Sequence, residues 1–580
     1  MKKLICTTLL VETSPQGLPL GAACIASAIK NSPLTKGKYD VELVDFSPED
    51  SEIMLARQNG GENAVSLLIA ARLAQKKPDF ACFSVYVWNR NILSKAAAEL
   101  KKNLPKCICI AGGPEVTADP TSFDSFDFTT AGQGELATTE LLSEIESGKD
   151  PADIPGIYER KDFRLGHKSV QGGNAAVERA LPCPVELCPS PYLDGTLDPA
   201  KYGGALWELA RGCPFKCSYC YESKGEKKIA YFPMERLEKE IELFAKKNIA
   251  QVFVLDPTYN ASKERALKML RIIEKKAPGM FFYFEARAEF IDRELAHAFS
   301  RIPCALQIGL QSANPDVLKN VHRTLDKKKF IKNIGFLNEA GVTFGFDLIY
   351  GLPGDDFKGF CDSIDFALSL YPNNLELFCL SVLPGTDLHD AAKSFGLEWE
   401  QTPPYHVLRT PKFTTEDLAK CERLSKAVNL FYNDGRAVPW LNSVLYPLHE
   451  KPSAFFKDFE KWLTGYMGGV DNEKNKRSGQ GKKLSSLEIE KCQIEFVRKK
   501  FHENHLDRIF PVAEDLIKMH GALGRCTFDG SESEFTTNYH PDDVMSEYGT
   551  DLVFFSENAG KKKCRVKVFE SENGPDWKTL

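Results

Sequence analysis

The chain has 580 residues, 43% hydrophobic and 27% charged, the composition of an ordinary folded protein too long for one core, so about two to four domains are expected. A net charge of −6 gives no general attraction to nucleic acid, and no window reaches the apolar length of a membrane span. Its 17 cysteines are scattered rather than framed as in a disulfide-rich secreted domain, which points to a reducing, cytoplasmic setting.

The first run, Met1-Lys-Lys-Leu-Ile-Cys-Thr-Thr-Leu-Leu-Val11, is interrupted at Thr7 and Thr8 and lacks a cleavage site, so it reads as a strand rather than a signal peptide. Strand-like runs follow at Val41–Phe46, Phe80–Val87, Cys107–Ala111 and Phe126–Thr130, with helical patterns over Leu20–Lys30, Glu62–Lys76, Asn91–Asn103 and Glu135–Ser147. This alternation over residues 1–150 predicts a flavodoxin-like parallel sheet with helices on both faces. Ligands bind beyond the carboxyl ends of such strands. The loops expected there carry Gln16 and Gly17, Ser84 and Trp88, Gly112, Gly113 and Glu115, and Gly132 and Gly134. Glycines in those loops suit a close approach to a large flat ligand, and Ser84 offers it a hydrogen bond. A bland alternative is a sheet domain of the same fold that binds nothing.

Residues 151–202, rich in Pro and Gly, read as an extended linker, with Cys183 and Cys188 as incidental loop thiols and His167 facing solvent. Next comes Arg211-Gly-Cys213-Pro-Phe-Lys-Cys217-Ser-Tyr-Cys220, in which three cysteines are spaced Cys-x3-Cys-x2-Cys. That spacing suits three thiolates on an iron–sulfur cube, leaving the fourth iron open for a ligand. A zinc knuckle is the alternative, but no fourth Cys or His lies within about twenty residues of Cys220.

Strand–helix alternation resumes over residues 203–385, with strands at Leu206–Ala210, Gln251–Leu255, Phe281–Ala286, Ala305–Leu310, Val342–Tyr350 and Leu375–Val382. Six such units predict a partial (βα)6 TIM-like barrel with its chemistry at the carboxyl ends. Polar groups fall there: Asp256, then Glu285 and Arg287 on one face, Gln311, and Asp347 before Gly351-Leu352-Pro353-Gly354. Asp347 reads equally as a structural cap or a site residue. Residues 386–467 read as a helical, aromatic-rich cap, 468–483 as a flexible linker, and 484–580 as a C-terminal domain of unknown role. In that last region a helix over Ser486–Phe501 and strands at Leu552–Ser556 and Arg565–Glu570 are expected. The whole is thus an α/β chain with a mostly helical C-terminal extension.

The three cysteines, the aromatic Tyr219 before the third, and the four loops ahead of them resemble the cobalamin-binding radical S-adenosylmethionine (SAM) enzymes. The resemblance covers residues 1–385. It implies a [4Fe–4S] cluster on Cys213, Cys217 and Cys220 whose open iron chelates SAM. It places Glu285 near the SAM ribose, Arg287 or Gln311 near its polar end, and Gly351-Leu352-Pro353 beside the adenine; Tyr219 and Asp256 complete that set. It implies cobalamin on the loops bearing Gln16, Gly17, Ser84, Trp88, Gly112, Gly113, Glu115, Gly132 and Gly134. There is one departure: the second strand ends Asp45-Phe-Ser-Pro48, without the Asp-x-His-x-x-Gly histidine that binds cobalt in many cobalamin domains. The implied activity is reductive SAM cleavage with cobalamin-dependent methylation of an unactivated carbon, fed by a reductant such as flavodoxin or ferredoxin. A rearrangement or cyclisation without methyl transfer, and a non-catalytic binding protein, are the alternatives. The methylthiolating tRNA enzymes are disfavoured, because they need three further N-terminal cluster cysteines.

Overall fold

The structure is a computed structural model and describes residues 1–149, 151–160, 177–222, 228–470, 484–572 and 574–580. His167 and most of the linker expected at 468–483 lie outside the described residues. Among the described residues no helix is long and apolar enough to cross a membrane.

The first sheet is built from β1 (Lys2–Leu9), β2 (Tyr39–Phe46), β3 (Phe80–Ser84), β4 (Ile108–Gly112), β5 (Phe128–Thr130) and β6 (Ile157–Glu159). Their order is β2-β1-β3-β4-β5-β6. The first five are parallel, in the doubly wound order of a flavodoxin-like fold. Because helices cover both faces, β3 is a continuous buried run, Phe80-Ala-Cys-Phe-Ser84, rather than an alternating one. β6 pairs antiparallel with β5, so the presumed linker begins by extending this sheet. The helix expected at Glu62–Lys76 starts earlier, at Ser51, because the Asp50 side chain caps it and the chain continues through a kink at Gly60 and Gly61.

The second sheet holds β7 (Gly204–Trp207), β10 (Gln251–Val254), β11 (Phe281–Ala286), β12 (Cys304–Gln311), β13 (Thr343–Tyr350) and β14 (Asn374–Cys379) in sequential, parallel order. β7 and β14 do not pair, so the barrel is partial and open. The single strand expected at Leu206–Ala210 is two pieces, β7 and the short β8 (Ala210–Arg211), the latter paired with β9 (Ala230–Tyr231). The break has a cause: Asp256 Oδ1 accepts the amides of both Leu209 and Ala210 at 2.9 Å and pulls them off the ladder.

Beyond the barrel, the helices Thr415–Val428, Leu441–Leu448 and Pro452–Val470 follow a small hairpin of β15 (Glu398–Trp399) and β16 (Val407–Arg409). Their core gathers Phe431, Trp440, Phe455, Phe456 and Phe459, so this aromatic density is packing. The tail packs two helices, Ser486–Glu503 and Phe510–Asp529, on a three-stranded antiparallel sheet of β17 (Ser533–Thr537), β18 (Cys564–Ser571) and β19 (Gly574–Thr579). The strand expected at Leu552–Ser556 is instead a helix, Leu552–Asn558. Asp551 caps it by accepting the Phe554 amide, and Leu552 and Phe555 are buried three residues apart, a helical spacing that the short apolar run concealed.

Candidate active site between two sheet edges

A cavity of about 710 Å³ separates the carboxyl edge of the first sheet from that of the barrel. From the first domain its wall takes Gln16, Gly17, Ser84, Trp88, Gly112, Gly113, Gly132 and Gly134; from the barrel, Glu208, Arg211 and Glu285. Both ends of the cysteine loop reach it, since Gly212 precedes Cys213, Tyr221 follows Cys220, and both line the cavity.

The wall on the first-domain side is uncharged where its loops turn. Tyr86 and Trp88 stack face to face at 4.5 Å, and Trp88 Nε1 donates to the Leu9 carbonyl at 3.0 Å. Asn89 donates to Thr8 Oγ1 and the Leu9 carbonyl and accepts the Tyr86 amide, so this loop is pinned from three sides. Gly113 has φ +111°, and a Cβ there would meet the Val85 carbonyl at 2.5 Å; one on Gly17 would collide with the Glu12 carbonyl. These two glycines are therefore demanded by the protein's own backbone, whatever binds beside them. Thr130 Oγ1, also in the wall, is buried with no hydrogen-bond partner. Such an atom is costly unless something in the cavity pairs with it.

Glu115 stands elsewhere. Its carboxylate takes Arg90 Nη1 at 2.9 Å and the Tyr405 hydroxyl at 2.8 Å, turning it from the cavity to fasten the first domain to the cap.

The barrel side carries the charge. Arg211 reaches across the junction to Glu135 at 2.7 Å while gripping Glu208 at 3.0 Å, and its Nη1 also donates to Gln133 Oε1. These carboxylates hold its guanidinium firmly charged in spite of burial, which opposes it. Glu285 lines the cavity with an exposed side chain, and the desolvation it meets there, with Asp347 and Glu222 nearby, pushes its carboxyl up to about 7. Arg211 and Glu208 were invisible as site residues in the sequence; the one available signal is that Arg211 directly precedes the cysteine loop, just after the first barrel strand.

Several expected site residues lie outside the cavity wall. Asp256 is buried behind it on the Leu209 and Ala210 amides, and burial raises its carboxyl to about 7. Arg287 lies 3.8 Å over the Phe215 ring, within the cysteine loop, and pairs with Glu289. The Gly351–Gly354 turn faces the cap: a Cβ on Gly351 would meet Val407 Cγ1 at 2.5 Å, and Leu352 is core. Gln311 sits at a bulge on β12 with φ +66°, its Oε1 buried and unpartnered. The three cysteines lie just behind the wall. Burial raises the Cys213 thiol, and Cys217 is buried. No three His, Cys, Asp or Glu side chains among the described residues converge on a single metal ion. Three thiols in one loop, with no fourth Cys or His nearby in the chain, are a donor set that suits a cluster with one open iron.

Residues 207–367 match the radical SAM superfamily, and residues 393–484 match DUF4080, a family of proteins of unknown function. The cobalamin-dependent radical SAM methyltransferase TokK of Streptomyces tokunonensis is 27% identical over 401 residues, 63% of this chain and 55% of TokK. The 2-(S-pantetheinyl)-carbapenam-3-carboxylate methyltransferase of Streptantibioticus cattleyicolor is 28% identical over 389 residues, 62% of this chain and 54% of that one. The chain thus spans about half the length of the curated relatives it matches. In fold it is similar to OxsB, solved with aqua-cobalamin and SAM, at a TM-score of 0.56 and 14% identity over 87% of this chain and 80% of OxsB. It is also similar to TsrM of Kitasatospora setae, solved with cobalamin and a [4Fe–4S] cluster, at 0.53 and 15% over 70% and 78%.

Proposed function

We propose that the chain is a B12-binding radical SAM enzyme that methylates an unactivated carbon of a substrate held between its two sheets, a reading supported by its radical SAM segment and by its cobalamin-dependent relatives. When bound, the cluster and SAM supply a carbon-centred radical on 5′-deoxyadenosine, and cobalamin supplies the methyl group. The rest falls to this chain's own side chains. Cys213, Cys217 and Cys220 hold the cluster behind the cavity wall. The glycine loops after β1, β4 and β5, the Tyr86–Trp88 stack and the unpartnered Thr130 hydroxyl offer a broad face of backbone, aromatic and hydroxyl groups, which suits a corrin ring with its amides. Glu285, titrating at about 7, presents a carboxyl that can donate or accept a hydrogen bond at neutral pH. Arg211, tied to both walls, holds the two faces at a fixed separation.

The observation that carries this reading is a single cavity bounded by both sheet edges and by both ends of the cysteine loop. Such a cavity would let both cofactors face one substrate.

The test is product analysis of anaerobically reconstituted protein with a flavodoxin or ferredoxin reductant and cell extract as the source of substrate. S-adenosylhomocysteine and 5′-deoxyadenosine should form together, with label from the SAM methyl group in the product. 5′-Deoxyadenosine alone would replace methyl transfer by a rearrangement or cyclisation. Neither nucleoside above background would leave a binding protein. Replacing all three cysteines by Ala should abolish the cluster's absorbance and both products.

A further inference from the structure

We propose that Arg323, from the loop after the fourth barrel strand, is a positioning residue that donates to the Cys217 thiolate and raises the reduction potential of the cluster. Arg323 Nη1 lies 4.0 Å from Cys217 Sγ and 3.2 Å from the Tyr219 hydroxyl, and Nη2 donates to the Gly309 carbonyl at 2.6 Å. One guanidinium thus joins a cluster ligand, its aromatic neighbour and the end of β12. Its backbone is as firmly placed as its side chain. The Arg323 amide donates to the Leu318 carbonyl at 2.8 Å, and two residues earlier the Val321 carbonyl accepts the Ser218 amide of the cysteine loop at 3.1 Å. His322 Nδ1 stands 3.2 Å from the Lys216 carbonyl on the other side. The cysteine loop and the Arg323 segment are stitched together over three successive residues.

Gly309 belongs to the same arrangement. A Cβ there would meet Gln311 Nε2 at 2.5 Å and come into ordinary contact with Arg323 Nη1 at 3.5 Å, so the guanidinium lies directly against the Gly309 backbone that it bonds. The guanidinium is partly buried, and Cys217 and Tyr219 help to keep it charged where burial alone would not. A permanent cation hydrogen-bonded to a ligand sulfur favours the more negative, reduced cluster, and hydrogen bonds to sulfur are a principal lever on cluster potential. Nothing in the sequence near Arg323 marks it, because its partners lie about a hundred residues earlier in the chain.

The inference rests on the three cysteines holding the cluster, and the experiment separates the two. Full-chain protein is reconstituted anaerobically, its iron counted, and its cluster titrated against ambient potential by electron paramagnetic resonance. Arg323→Met with iron content equal to wild type should reduce the cluster at least tenfold less readily at a given potential, a downward shift of about 59 mV or more for one electron. Arg323→Lys, which keeps the charge, should recover a large part of that shift. Arg323→Gln, which keeps amide donors but loses the charge, should show most of the shift of Arg323→Met. If Arg323→Met fails to load, the Lys and Gln variants decide the matter. Loaded variants with the wild-type potential overturn the inference and reduce Arg323 to a structural tie. A wild-type protein that takes up no iron overturns the cluster reading as well.

Discussion

The two walls of the cavity are both carboxyl edges of parallel sheets, yet they meet it with different chemistry. On the first-domain side, charge is largely consumed elsewhere: Glu115 is clamped by Arg90 and Tyr405, Glu135 is held by Arg211, and the Asn89 amide serves Thr8 and Leu9. The loops between them present backbone, an indole and hydroxyls. On the barrel side, carboxyl groups cluster at successive strand ends: Glu285 in the wall is pushed up to about 7, and burial pushes Asp256 and Asp347, outside the wall, to about 7 and about 6. One edge is thus neutral and rigid, whereas the other carries protons that neutral pH can move. One residue, Arg211, belongs to both.

The largest expected break in this comparison is at that residue. Arg211→Met leaves Glu135 and Glu208 facing each other across the junction without their cation. The loss should be about 3–5 kcal/mol of stability, the usual cost of removing one partner of a buried pair. It would be read from the urea midpoint at constant slope. Adding Glu135→Gln and Glu208→Gln should restore most of it, and a single variant as stable as wild type would show that the walls are not held together here.

The ionisable side is sharpened by Asp256→Asn. Asp256 titrates at about 7 in the fold against an ordinary 3.8, so between these pH values the native state holds a proton that the unfolded chain has lost. Its contribution to stability therefore falls as pH rises through that window and is level above it. Asn keeps the oxygen that accepts the Leu209 and Ala210 amides and cannot titrate. Wild type minus variant should change by up to about 4 kcal/mol between pH 4 and pH 7. Parallel stability curves would mean that Asp256 is ionised throughout.

The neutral side predicts the smallest effect. Tyr405→Phe removes a hydroxyl that donates to Glu115 and accepts from Arg90, both charged. A loss of about 1.5 kcal/mol is expected, with no change in its pH dependence between pH 6 and pH 8. A pH-dependent loss in that range would mean that the first-domain wall carries a titrating group after all.

How much could be read in advance differs residue by residue. The strand–helix alternation gave both sheets, and Cys213, Cys217 and Cys220 lie within eight residues, so their grouping is local in the chain. Glu115 and the Gly351-Leu352-Pro353 turn had the right residue types at strand ends but face the cap, since a strand end fixes a loop's position and not its orientation. Leu552–Ser556 was misassigned because four consecutive apolar residues fit either period until Asp551 supplies a cap.

The sequence alone determined the order of elements, the parallel sheets and the three-thiol loop, because periodicity, turn chemistry and ligand spacing act over a few residues. Only the tertiary structure decided the cavity and its charges. Arg211 finds Glu135 76 residues away, Tyr405 finds Glu115 290 residues away, and Arg323 reaches Cys217 across 106. Such pairs exist only after two sheets have packed edge to edge, and burial, which sets whether a carboxyl keeps its proton, is a property of that packing and of no segment taken singly.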